Sequence, residues 1–246
     1  MSSVLEFPRE DHFLIASHAL KLQGFDGAAW LCRFSVADFR PHHFCLYQCD
    51  FPEALRTAVP SRWAEFLAGR FAARRALSDL GAGSMCPPMA ADGLPQWPEL
   101  ASGLVVGSIS HSRDWAVAAA MTSSALFGID IEHKADENTV AALWNMVLSP
   151  AEQKLISRLI VDSGVADKST AFTLAFSAKE SLYKALYPKL RLGLEFSDLT
   201  LQSIDITRQQ LRLKLIKPGL DVGAEEMVVH WQDRGSAVIC WCSPTA

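Results

Sequence analysis

The sequence predicts an α+β protein of two lobes of similar size, because each half of its 246 residues combines a strong helix pattern with apolar runs of strand length. Apolar residues recur at helical spacing over about 61–80 and again over about 170–186. The boundary between the halves falls near residues 122–125. We therefore expect an N-terminal lobe of residues 1–123 and a C-terminal lobe of residues 124–246.

The helix of the first half is predicted to begin near Ser61 and to end near Leu80. Pro60 precedes it, and Gly81 follows it as a stop signal. Its apolar residues at helical spacing are Trp63, Phe66, Leu67, Phe71 and Leu77. Residues 81–98 are rich in glycine and proline, which predicts a loop.

Two short apolar runs, 115–121 and 125–131, meet in the middle of the chain. The polar stretch Thr122-Ser123-Ser124 separates them, which predicts either a hairpin or a link that crosses from one lobe to the other. Further along, Ser149-Pro150-Ala151-Glu152 is typical of a capping box with proline in the first turn, so a helix should begin there.

The long helix of the second half is expected to stop near Pro188, because proline lacks the N–H group that a helix interior needs. Residues 211–215, 227–231 and 237–242 predict the strands of an antiparallel meander.

Composition and charge restrict the class of protein. Half of the residues are apolar and 20% are charged, as in a soluble globular protein, and no apolar run is long enough for a bilayer. The formal charge of −4 argues against a nucleic-acid binder. The first eleven residues include three acidic ones and do not resemble a signal peptide, so we expect a cytoplasmic protein with reduced cysteines. The pair-plus-pair spacing of a zinc site is absent.

The pentapeptide Gly128-Ile129-Asp130-Ile131-Glu132 is the most informative motif. In a strand, Asp130 and Glu132 point to the same face, where their negative charges repel each other unless a cation or protons relieve them. Carboxylates of this kind suit magnesium, which completes its shell with water and phosphate oxygens. The structural alternative is an exposed strand face with two solvated acids.

The predicted helix of the second half carries Glu180 and Lys184 on one side, with Lys179 adjoining. These residues could have a functional role, but one structural interpretation is an ordinary surface ion pair between Glu180 and Lys184, one turn apart. Another is a capping box from Ser177 to Glu180, although the apolar spacing continues upstream without a break.

Two further patterns lie in the first half. In Ser108-Ile109-Ser110-His111-Ser112, a loop with hydroxyl and imidazole groups for phosphate oxygens is a better interpretation than a hydrolase, because no nucleophile elbow is present. Arg62 and Arg70 are eight residues apart on the first helix, within about 80° around its axis. They are either a phosphate clamp or solvated edge residues.

In this order and spacing, the motifs resemble those of the 4′-phosphopantetheinyl transferase superfamily. The resemblance covers about residues 60–200, and it is to the long single-chain, surfactin-type branch, especially the enterobactin synthase component D type. Gly-Ile-Asp-x-Glu at 128–132, followed some fifty residues later by Lys179-Glu180-Ser181, is specific as a set. The segments from Arg62 to Arg70 and from Ser108 to Ser112 complete this set of motifs.

The resemblance implies transfer of the phosphopantetheine arm of coenzyme A to a serine hydroxyl of an apo acyl or peptidyl carrier protein, with release of adenosine 3′,5′-bisphosphate. The carriers belong to fatty-acid, polyketide or siderophore synthesis. The implied fold is a pseudo-dimer of two α+β lobes with the active site in the cleft between them. We expect a monomer without a membrane anchor.

The resemblance also implies the site residues. Asp130, Glu132 and Glu180 would hold magnesium, and Glu180 would take the proton of the serine, directly or through water. A metal-bound water is the alternative base. The phosphate contacts would come from Lys179, Lys184, Arg62, Arg70, Ser110 and His111, with Asp130 also at the coenzyme A pyrophosphate.

One departure from the pattern concerns the loop ahead of Ser110. Many members of the superfamily have Gly-Lys-Pro there, whereas this chain has Gly93-Leu94-Pro95, so the charged contact of the lysine is lost. Two rival functions are a magnesium-dependent phosphohydrolase acting on a nucleotide and a non-catalytic module that binds carrier proteins. The first leaves Ser110 and His111 without a purpose, and the second does not need the three acids.

Overall fold

The computed structural model describes residues 11–123, 125–163, 167–220 and 226–242. The N-terminal stretch 1–10 and Ser124 of the predicted link lie outside these ranges. The described chain divides into two compact units. The first consists of residues 11–22 and 26–123, and the second of residues 23–25 together with the chain after Ser123.

The first unit is a five-stranded antiparallel sheet with a long helix packed on it. The sheet has the order β1-β2-β5-β4-β3. Its strands are β1 (Leu14–Leu20), β2 (Ala28–Phe34), β3 (Glu99–Leu100), β4 (Gly103–Ser112) and β5 (Trp115–Thr122). The helices are the short α1 (His43–Leu46) and the long α2 (Pro60–Asp79), with a 3₁₀ turn at Glu53–Leu55 between them.

Helix α2 agrees with the prediction at both ends. Pro60 occupies its first turn, and Gly81 follows its last turn with a φ of +82°. The amide of Ala82 donates to the carbonyl oxygen of Leu77 at 2.9 Å, which closes a Schellman-type cap. The five-residue run Ala116–Ala120 of β5 is 0% exposed throughout. Its side chains are small, which lets the helix lie close to the sheet.

The second unit repeats this plan with a different order of elements. Its sheet has the order β6-β10-β9-β8-β7, all antiparallel. The strands are β6 (Gly128–His133), β7 (Leu199–Asp205), β8 (Gln210–Leu215), β9 (Met227–Asp233) and β10 (Ala237–Cys242). The helices are α3 (Glu137–Val147), α4 (Pro150–Ser163) and α5 (Lys168–Leu190), followed by a 3₁₀ turn at Phe196–Asp198. Two similar lobes of mixed helix and antiparallel sheet thus confirm the α+β prediction.

Further details decide between the predictions or confirm them. Strands β5 and β6 belong to different sheets, so the polar stretch between them is a link between lobes and not a hairpin. Helix α5 ends at Leu190, two residues past Pro188, which confirms the prediction that it stops near the proline. A proline in the last turn removes only one backbone hydrogen bond, so the helix continues for two more residues, and Arg191 follows as its C-cap with a φ of +52°.

The expectation that all cysteines are reduced was wrong, because Cys49 and Cys86 form a disulfide. Their separation of 37 residues follows no motif, and only the fold brings the two side chains together. The bond connects the segment after α1 to the loop of residues 81–98. Among the described helices, none has both the length and the apolar character that a membrane crossing requires.

Candidate active site

Strand β6 presents the two acids of the central motif. Its register with β10 runs without a bulge from Gly128 to His133, so Asp130 and Glu132 lie on one face, as predicted. Ile129 and Ile131 occupy the other face and are 0% exposed. Asp130 is itself buried, with 1% exposed, whereas Glu132 is half-buried near the end of the strand.

Gly128 allows α5 to lie directly against β6. A Cβ atom at this position would be 2.0 Å from the carbonyl oxygen of Ser181 and 2.6 Å from the amide nitrogen of Ala185. Any side chain would therefore push the helix away from the strand. The glycine of the motif is a requirement of packing, and it brings the polar residues of α5 within reach of Asp130.

Two side chains of α5 hold the Asp130 carboxylate. The Ser177 hydroxyl donates to Oδ2 at 2.7 Å, and the Lys184 ammonium donates to Oδ1 at 2.6 Å. Ser177 and Lys184 are seven residues apart, which is two helical turns, so both project from the same side of α5. Lys184 thus lies next to the acid of β6 and contacts its carboxylate directly.

Glu180 lies between these two residues on α5 and is half-buried. Burial raises the pKa of its carboxyl, the negative charge of Asp130 raises it further, and Lys184 lowers it. The structure thus brings together Asp130, Glu180 and Lys184, two acids and one base that influence one another electrostatically.

These residues fit a magnesium ion by their chemistry. In the described part of the chain, no three metal-ligating side chains form a ready-made cage. Magnesium does not need one, since it commonly takes one or two carboxylates and completes its shell with water and substrate phosphate. The raised pKa of Glu180 also indicates negative charge that a cation would offset.

Lys179 has a different environment from the one predicted. Its side chain is 1% exposed, and its ammonium lies 2.8 Å from Oε1 of Glu152. It also donates to the carbonyl oxygens of Val147 at 2.7 Å and Phe196 at 3.0 Å, which uses all three of its N–H donors. The predicted phosphate contact of Lys179 therefore disagrees with the structure.

Glu152 completes this buried pair. Its Oε1 accepts the amide of Leu201 at 2.7 Å, and its Oε2 accepts the amide of Ser149 at 2.8 Å. Ser149 and Glu152 form the predicted capping box at the start of α4, since the Ser149 hydroxyl accepts the amide of Glu152 at 3.4 Å. The motif thus predicts the cap, but the pairing with Lys179 depends on tertiary packing.

In the first unit, the Ser-His motif lies in strand β4 and not in a loop, so that part of the prediction was wrong. His111 faces α2, where its Nε2 lies 2.5 Å from Nη1 of Arg62. Oε2 of Glu65 lies 3.3 Å from the same Arg62 nitrogen and 3.6 Å from Nδ1 of His111. Alternation along the strand directs Ser110, which is 5% exposed, to the opposite face of the sheet.

Arg62 and Arg70 differ in accessibility. The side chain of Arg62 is 49% exposed, whereas Arg70 is 5% exposed and its guanidinium lies 4.6 Å from the centre of the Phe66 ring. Burial lowers the pKa of Arg70 to about 10, and the positive charge of Arg62 contributes. Within the described chain, Nε of Arg70 has no hydrogen-bond partner.

A cavity of about 130 Å³ lies beside Glu180 in the second unit. Tyr183, Leu194 and Phe196 form its apolar side, and Glu180 and Glu195 contribute carboxylates. Neither this cavity nor the contact of Ser177 with Asp130 follows from the sequence. A serine in the middle of a buried helix face is the only sequence signal for the latter.

Comparison with known proteins identifies two family models that match the chain. The family model described as the 4′-phosphopantetheinyl transferase N-terminal domain matches residues 51–121, and that of the 4′-phosphopantetheinyl transferase superfamily matches residues 126–242. The two matches thus fall on the two halves of the chain.

Curated relatives extend the similarity over most of the chain. Enterobactin synthase component D of Salmonella typhimurium is 33% identical over 226 residues, which are 91% of this chain and 85% of that protein. The protein of the same name from Escherichia coli K12 is 34% identical, over 83% of this chain and 90% of its own length. The 4′-phosphopantetheinyl transferase Svp of Streptomyces mobaraensis is 31% identical, over 72% and 70%. The chain belongs to the 4′-phosphopantetheinyl transferase superfamily, as the motifs in its sequence predict.

Proposed function

We propose that this protein is an enzyme that transfers the 4′-phosphopantetheine arm of coenzyme A to a serine hydroxyl of an apo acyl or peptidyl carrier protein. Adenosine 3′,5′-bisphosphate is the second product. The observation that carries the proposal is the convergence of Asp130, Glu180 and Lys184 at the contact of α5 with β6. Neither comparison supports a phosphohydrolase.

The reaction is a displacement at phosphorus. The serine oxygen bonds to the phosphorus that carries pantetheine, and the bond from that phosphorus to the bridging oxygen of the pyrophosphate breaks. Glu180 accepts the hydroxyl proton, directly or through water. A positioned base of this kind contributes typically ~10²–10⁴-fold to the rate.

Asp130, Glu132 and Glu180 are the residues that would hold magnesium. The chemistry that magnesium would supply there is polarisation of the phosphorus and compensation of negative charge on the leaving bisphosphate. Lys184 contributes a second positive charge. Its side chain is 26% exposed while it holds Asp130, so a phosphate that approaches this carboxylate meets the ammonium.

The first unit supplies candidates for the other phosphates of coenzyme A. Arg62 and His111 lie together, and both are partly exposed. A phosphate near Arg70 would offset the positive charge of a buried guanidinium, which costs free energy in a low-dielectric environment. Ser110 lies on the face of the sheet opposite to His111, so it would need to bind a different oxygen of coenzyme A. With Leu94 in place of the usual lysine, the phosphate contact there would come from the backbone or from the two arginines. The arginines are favoured, because the amides of Gly93 and Leu94 already donate to the carbonyl oxygen of Ala90 and to Oδ1 of Asp92.

The cavity beside Glu180 fits the pantetheine chain. This chain is attached to the reacting phosphorus, so it must leave the site next to the residue that serves as base. The wall of Tyr183, Leu194 and Phe196 suits its apolar atoms, and the polar rim suits its amides. We further propose that the protein acts in the cytoplasm as a monomer.

The proposal is tested by following coenzyme A and adenosine 3′,5′-bisphosphate by chromatography, with apo carrier protein or with the carrier whose acceptor serine is changed to alanine. We expect bisphosphate only with the intact serine. Equal release with both carriers would show hydrolysis and would contradict the transferase.

A further inference from the structure

We propose that Ser177 is a positioning residue, which fixes the carboxylate of Asp130 in the orientation that metal binding requires. This inference rests on the proposed function, because it concerns the acid that would hold magnesium. Its basis is the hydrogen bond of 2.7 Å from the Ser177 hydroxyl to Oδ2 of Asp130, between side chains that are 0% and 1% exposed.

The position of Ser177 in α5 is unfavourable for a serine without a special partner. Serine is a poorer helix former than alanine, and its hydroxyl costs free energy when it is buried without a hydrogen bond. Mid-helix serines usually bond back to a carbonyl oxygen of the preceding turn. Ser181 does this, donating to the carbonyl oxygen of Ala178 at 2.9 Å. Ser177 instead donates to a carboxylate on a neighbouring strand.

The hydroxyl acts together with Lys184. One donor lies at each carboxylate oxygen of Asp130, and both donors project from one rigid helix. Rotation of the carboxylate about its own axis would break both bonds. Cys240, the cross-strand neighbour of Asp130, also contacts the Ser177 hydroxyl, which limits the freedom of that side chain.

Outer hydrogen bonds of this kind tune metal sites. Loss of a partner that orients a metal ligand typically costs about 10–100-fold in metal affinity or activity. Lys184 contacts Asp130 and is also proposed to contact phosphate. The only charged group to which Ser177 donates in the described chain is the carboxylate of Asp130. Removal of Ser177 should therefore weaken metal binding and leave the carrier-protein KM unchanged.

The experiment compares Ser177→Ala with Ser181→Ala, a matched truncation of a second fully buried serine four residues along the same helix. Binding of manganese, as a probe for magnesium, is measured by electron paramagnetic resonance with coenzyme A present, beside the magnesium dependence of transfer. We expect a loss of about 10–100-fold for Ser177→Ala in both measurements and wild-type values for Ser181→Ala.

Ser177→Cys serves as a second variant if Ser177→Ala does not fold. It nearly preserves volume and retains a weaker donor, so its metal affinity should lie between wild type and alanine. Equal manganese affinity of Ser177→Ala, or of Ser177→Cys, and Ser181→Ala would overturn the positioning role while the proposed function stands. A wild-type protein that transfers the arm without binding metal would overturn both this role and the proposed metal site, but not the transferase.

Discussion

At the scale of single residues, Lys179 and Glu180 are neighbours in the chain but face different surroundings. About 100° of helical rotation separates them, so one side chain enters the core while the other reaches the side of Asp130. The ammonium of Lys179 is enclosed by Glu152 and two carbonyl oxygens. Lys184, one turn after Glu180, is the lysine that reaches the acids.

This contrast predicts different outcomes for the two lysines. Lys179→Met should lower the free energy of unfolding by about 3–5 kcal/mol, because it leaves the buried carboxylate of Glu152 unpaired. Lys184→Met should lower it less, because that side chain is partly exposed and Asp130 keeps Ser177, but it should abolish transfer. Urea unfolding and the transfer assay measure both effects. A stable Lys179→Met with only a raised coenzyme A KM would support the phosphate contact instead.

The raised pKa of Glu180 predicts a pH dependence of metal binding. In the metal-free protein its carboxyl keeps a proton at a higher pH than an ordinary glutamate, because of burial and the charge of Asp130. The proton competes with the metal for the carboxylate. The affinity for manganese should therefore fall as the pH drops from neutral through this raised pKa, and Glu180→Gln should remove this part of the dependence. An unchanged profile in Glu180→Gln would exclude Glu180 as the titrating ligand.

At the scale of elements, the contact of α5 with β6 determines where the site forms. Gly128→Ala would place a carbon 2.0 Å from the carbonyl oxygen of Ser181, on backbone that cannot move independently of the helix. We expect a loss of about 1–3 kcal/mol or more in the free energy of unfolding, and a larger relative loss of activity.

Gly193→Ala is the matched control, because no atom lies within 4 Å of the added carbon. Its unfolding free energy should remain within about 0.5 kcal/mol of wild type, as for ordinary surface changes. Equal stability of the two alanine variants would show that α5 does not lie as close to β6 as the structure has it.

The disulfide between the segment after α1 and the following loop is also testable. In unfolded protein without reductant, alkylation should modify the four free cysteines, and reductant should raise this to all six. In folded protein only Cys45 should react quickly, because burial raises the pKa of Cys242 to about 12 and also raises those of Cys32 and Cys240. Six modified cysteines without reductant would exclude the disulfide.

The sequence predicts those features that depend on local patterns. Spacing and residue type predict helix α2 and the capping box at Ser149. They also predict that Asp130 and Glu132 share one face of β6. The partners of Glu152 and Cys49 cannot be predicted in this way. Lys179 lies about 27 residues from Glu152, and Cys86 lies 37 residues from Cys49, so only tertiary packing brings them together. For the same reason, the sequence indicates the lysines of α5 but not which of them is buried.

At the scale of the whole molecule, two units share one plan, a five-stranded antiparallel sheet with a long helix packed on it. The first unit carries the partly exposed Arg62 and His111, and the second carries Asp130, Glu180 and Lys184. Both halves match the same superfamily. For the proposed reaction, the first unit offers candidate cations for phosphate, and the second offers candidate acids for metal and proton.

The most direct test of this account is the intact mass of an apo carrier protein after incubation with the enzyme and coenzyme A. Wild-type enzyme with magnesium should add one phosphopantetheine arm to the carrier, whereas EDTA or the Glu180→Gln variant should prevent the addition. No gain in mass on apo carriers of fatty-acid, polyketide and siderophore synthesis, with a folded enzyme and intact coenzyme A, would contradict the proposed transfer.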